Sequence, residues 1–157
     1  MFEVFFVRLF RLSLIGCCLA SQNLAMASDY GLTGLIDIPT ARMKPDATFS
    51  TTISDDQMWR SVALTYQAFP FLEASFRYSG LHVETGRGRF DNYVTWDRNF
   101  EAKARLLEES TWLPELAIGI RDLMGTGIFS GEYLVANKHV SNLDLTLGLG
   151  WGRLAGD

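Results

Sequence analysis

Cysteine is nearly absent from this 157-residue chain: Cys17 and Cys18 stand side by side near its start. If the leading segment is removed, neither a disulfide framework nor a thiolate zinc site can form. Histidine is equally scarce. His82 and His139 lie far apart without ligand-spaced companions, so neither a metal nor another cofactor is expected. No G-x-S-x-G element occurs, and with no mature cysteine the usual nucleophile signatures are missing. There is no basic excess either. Fourteen Lys and Arg against eighteen Asp and Glu give a net charge of −4, which argues against a nucleic-acid partner. Beyond residue 27 the longest uncharged run is Ser61 to Leu72, far short of a membrane-spanning helix.

What is present begins with a targeting segment at 1–27. Arg8 and Arg11 supply positive charge, Leu12 to Leu19 is a short apolar run, and Ala25-Met26-Ala27 offers the small residues of a signal-peptidase site. Leu14-Ile15-Gly16-Cys17 also reads as a lipobox, in which Cys17 is lipidated and becomes the mature N-terminus. Cleavage after Ala27 and lipidation at Cys17 are alternatives, and both export the chain.

From Ser28 onward no helix is expected. Residues 28–47, with Gly31, Gly34, Pro39 and Pro45, read as an extended periplasmic lead-in. Beyond it, apolar and polar residues alternate at period two. Leu143, Leu145, Leu147, Leu149 and Trp151 are interleaved with Asp144, Thr146 and glycines, and Phe100, Ala102, Ala104 and Leu106 with Glu101, Lys103 and Arg105. Strands are predicted near 48–54, 60–68, 71–79, 98–107, 113–120, 131–139 and 143–151. The connections between them alternate in length, the odd ones being longer on average, as in outer-membrane barrels.

The pattern predicts an all-β fold, an antiparallel meander over 48–157. Two architectures satisfy it: the wall of an outer-membrane β-barrel and a soluble periplasmic β-sandwich that serves as a glycan-binding module. Strand length favours the barrel, as do aromatics placed at strand ends: Trp59, Phe69, Phe71, Trp96, Phe100, Trp112, Tyr133 and Trp151. Seven strands are too few for a single-chain barrel, so this is expected to be the N-terminal portion of a longer one.

Several segments carry a family resemblance. They include Gly34-Leu35-Ile36-Asp37-Ile38-Pro39-Thr40-Ala41-Arg42-Met43, Phe69-Pro70-Phe71-Leu72-Glu73 and Phe76-Arg77-Tyr78. Others are Leu106 to Glu115, Gly119-Ile120-Arg121-Asp122, Gly125 to Phe129, Glu132 to Ala136 and Leu147 to Gly152. Together they resemble the N-terminal part of the YjbH/GfcD-like outer-membrane proteins of exopolysaccharide and capsule gene clusters. The resemblance implies a barrel that serves production or export of a surface polysaccharide. Its implied partners are outer-membrane lipid, the polysaccharide and other proteins of such a cluster. It supplies no catalytic residues, and a non-enzymatic role is expected.

Candidate positions follow from the strand pattern. Glu73, Arg77, Glu101, Lys103, Arg105 and Asp144 are expected to face the lumen as a polar wall, because charge on the lipid face is costly. Arg87 and Arg89, in Gly86-Arg87-Gly88-Arg89, are candidate loop contacts to glycan or lipopolysaccharide; no helix follows them, so a phosphate cradle is a poor reading. Arg121 and Asp122 are either an ion pair pinning the next loop or a polar handle for sugar hydroxyls. Asp55-Asp56 and Glu108-Glu109 are adjacent carboxylates whose side chains diverge, so neither makes a hydrolytic dyad.

Overall fold

A computed structural model describes residues 28–55, 59–84 and 92–155. The 1–27 segment with Cys17, and the positions Arg87 and Arg89, lie outside the described residues. Seven strands follow one another: β1 (Phe49–Asp55), β2 (Trp59–Phe69), β3 (Leu72–Glu84), β4 (Asn92–Leu107), β5 (Glu115–Arg121), β6 (Gly131–Val140) and β7 (Leu143–Gly150). Each pairs antiparallel with the next, giving one sheet in the order β1 to β7 that curls into a half-barrel. A short 3-10 turn, Gly152–Ala155, follows β7.

All seven predicted strands are present, but β3 and β4 are longer than the alternation indicated. Gly80 was expected to end β3 and open a long loop. Instead it stays in register with Trp96, whose indole would come within 3.0 Å of a Cβ at 80. A glycine that reads as a terminator here makes room for an aromatic on the neighbouring strand. Trp96 also stacks on Tyr78, with ring centroids 5.0 Å apart.

The two faces differ in kind. The convex face carries Val62, Leu64, Tyr66, Phe100, Ile118, Leu145, Leu147 and Leu149, all solvent-exposed. The concave face carries the charged and small residues. Among the described residues, eighteen polar or charged side chains are buried against only six apolar ones, so the sheet is inverted relative to a water-soluble core. Aromatic placement is a partial correction to the girdle expectation. Phe69, Phe71 and Trp112 are exposed at the end where β2–β3 and β4–β5 turn, and Phe69 stacks on Phe71. Tyr133, however, is buried on the concave face, and Trp59 turns inward to Tyr30 and Phe129. Their odd positions in strand register put them on the polar side.

Residues 28–47 are irregular, with one isolated bridge, Gly34 to Pro39. They run across the hollow of the sheet. Tyr30 lies at the end where β1–β2, β3–β4 and β5–β6 connect, and Arg42 lies at the opposite, tight-turn end. Gly31 makes the crossing feasible. It adopts φ +99°, and a Cβ there would lie 2.5 Å from that of Ala63. Leu32, Thr33, Thr40 and Ala41 are consequently buried.

Candidate functional site

The concave face is held by charge. Glu73 and Lys103 are opposite one another in the β3–β4 register, and their side chains meet at 2.9 Å, both fully buried. The Lys103 ammonium also donates to the carbonyls of Thr33 and Arg42, each at 2.9 Å. Its three donors thus have three acceptors, two of them from the crossing segment. Glu73 in turn accepts from the backbone N–H and the hydroxyl of Thr33. A buried ion pair is sustained only when further hydrogen bonds satisfy its remaining atoms, and the crossing segment supplies them.

At the tight-turn end Arg42 closes a second cluster. Its guanidinium grips Asp144 in bidentate fashion, Nε to Oδ2 at 2.9 Å and NH2 to Oδ1 at 2.6 Å. Its NH1 donates to Glu109 and Glu115, both at 2.7 Å. These carboxylates, led by Asp144, raise the Arg42 pKa above its ordinary value despite partial burial. Glu109 accepts the His139 backbone N–H as well as Arg42 and Lys138, and these bonds hold its carboxyl at about 2. Arg105 reaches the other oxygen of Glu115 at 3.2 Å.

At the opposite end the contacts are aromatic. The Arg77 guanidinium lies 4.3 Å from the Tyr30 ring centroid and 4.5 Å from that of Phe129. It faces Glu101 at 3.7 Å and donates through Nε to Asn99. Arg121 lies 3.9 Å from the same Tyr30 ring and donates to the Asp37 carbonyl at 3.0 Å.

The structure gathers Glu73, Arg77, Glu101, Lys103, Arg105 and Asp144 on one face. It also fills that face with protein: Glu73, Arg77, Glu101 and Lys103 touch almost no solvent. Arg121 and Asp122 stand at the end of β5. They do not pair with each other among the described contacts. Arg121 is the last residue of β5 and points into the hollow, whereas Asp122 turns the chain at φ 57° and accepts the Phe129 N–H. Neither is a free loop group, since both are buried. Sequence reasoning missed Thr33, Arg42, Glu109 and Glu115. The segment Gly34 to Met43 was conspicuous as a motif, but nothing in its spacing announced what it would touch.

Comparison with known proteins gives the family. The YjbH family model, described as "Exopolysaccharide biosynthesis protein YbjH", matches residues 26–157. The chain belongs to the YjbH family. A curated relative, "Uncharacterized lipoprotein YjbH" of Escherichia coli (strain K12), is 43% identical over 130 residues, which cover 81% of this chain and 19% of that protein. The chain thus spans about a fifth of the relative's length. No solved structure gives a significant match. The YjbH match covers the crossing segment together with all seven strands, so both halves of the charged interface lie within the family region.

Proposed function

We propose that this chain forms part of the wall of an outer-membrane β-barrel that assists exopolysaccharide production or export without catalysing a reaction. The observation that carries the reading is the inverted sheet: exposed leucines and aromatics outside, buried charge inside. Acyl chains satisfy the convex face, and charge on that face would cost about 2–4 kcal/mol at mid-depth for Arg or Lys. A β-sandwich packs apolar faces together, whereas here the covered face is polar. The family description supplies the polysaccharide connection. Lipid of the outer membrane, the polysaccharide and other proteins of the same pathway are the partners this reading needs.

Alkaline carbonate extraction of membranes carrying the full-length protein tests it, combined with labelling from a photoactivatable lipid. Retention in the membrane is expected, with label on Leu145, Leu147 and Leu149 and none on Lys103 or Arg105. Release into the soluble fraction would overturn the reading. The relative's name as a lipoprotein favours Cys17 over cleavage after Ala27 as the mature terminus. Radiolabelled palmitate should then enter the protein and be lost in Cys17→Ser; an unlabelled wild type would return the choice to Ala27.

A further inference from the structure

The end of the hollow away from Arg42 holds a cavity of about 290 Å³, lined by Tyr30, Leu81, Ile128 and Phe129 together with Arg121 and Arg153. We propose that this cavity binds one acidic sugar unit, with Arg121 and Arg153 taking its carboxylate. The inference rests on the polysaccharide role proposed above and narrows it to a substrate class.

Arg121 is the decisive residue. It is 4% exposed, yet no carboxylate lies within ion-pair distance of it among the described residues, and its one hydrogen bond goes to the Asp37 carbonyl. A guanidinium has five N–H donors, and burying one without an anion is costly. No neighbouring acid comes within ion-pair distance of Arg121, although Glu101 and one oxygen of Asp122 have no hydrogen-bond partner among the described residues. Asp122 accepts the Phe129 N–H, Asp97 accepts from Asn99 and Thr126, and Glu101 faces Arg77. Arg153, exposed on the 3-10 turn, likewise has no ion pair among the described residues. Two cations without a carboxylate therefore line one cavity. Arginine forks match a carboxylate with two parallel hydrogen bonds.

The remaining lining identifies the body that bears the charge. Leu81 and Ile128, with the parts of Tyr30 and Phe129 that Arg77 and Arg121 leave uncovered, offer apolar surface, which a bare inorganic anion cannot use but the C–H face of a pyranose can. The volume lies at the small end of ligand sites, suited to one sugar ring and not to a folded chain.

Calorimetric titration of the full-length protein in detergent tests the proposal, with digalacturonate, maltose and inorganic phosphate as probes. Digalacturonate should bind and maltose should not. Arg153→Gln, an exposed position that leaves the fold intact, should weaken digalacturonate by about tenfold, and Arg121→Gln at least as much, while Arg60→Gln on the outer end of β2 should change nothing. Four outcomes overturn it: equal binding of maltose, equal binding of phosphate, unchanged affinity in both cavity variants, or no digalacturonate heat at about 10 mM. Acidic-sugar binding by a protein that carbonate releases from membranes would sink the barrel reading and leave the cavity assignment standing.

Discussion

Gly119 faces Tyr133 across the β5–β6 register, and the phenol ring occupies the space that a Cβ at 119 would need. The ring is buried and closely packed, so it has little room to retreat. Gly119→Ala should destabilise the protein by about 1–3 kcal/mol, read from urea unfolding in detergent. Glu109 gives a pH prediction. Its folded-state pKa of about 2 lies below the ordinary value of roughly 4.3, so its contribution is fully present above about pH 4.3 and is lost as the pH falls toward 2. Acid unfolding should therefore be less steep in that window for Glu109→Gln than for the wild type; identical profiles would show that Glu109 does not stabilise the fold. Little of this was legible beforehand. Glu109 read as one of two adjacent solvated carboxylates, and its partner Arg42 lies 67 positions away.

The strands were legible because a half-covered strand shows its two faces in its own residues. Leu143 to Trp151 gives the convex side of β7 directly, and Glu101, Lys103 and Arg105 give the concave side of β4. The extension of β3 and β4 was not, because Gly80 looks the same whether it breaks a strand or receives an indole. The crossing segment was hidden for a different reason. It has no period, and its contacts reach residues up to 102 positions away, such as Thr33 to Glu73 and Arg42 to Asp144. Its link to the sheet through Lys103 and Glu73 can be measured. Lys103→Met should cost up to about 3–5 kcal/mol by leaving the buried Glu73 carboxylate with only Lys44, at 3.4 Å, as its cation. Adding Glu73→Gln should recover a substantial part of that loss, and strictly additive losses would disprove the coupling.

For the molecule as a whole the question is which medium meets each face. Leu147 is 78% exposed near the middle of β7. In a bilayer Leu147→Arg should cost about 2–4 kcal/mol, whereas on a water-facing surface it should stay within about 0.5 kcal/mol. Unfolding of the full-length protein from lipid vesicles distinguishes the two. The path of residues 28–47 also bears on assembly order. Neighbouring strands meet through short connections, but Arg42 meets its carboxylates only after β4, β5 and β7 are in place. Ring closure across 102 positions costs more entropy than forming a hairpin. The guanidinium grip on Asp144 is accordingly expected to form late, so that the earliest part of the described chain is the last to be secured.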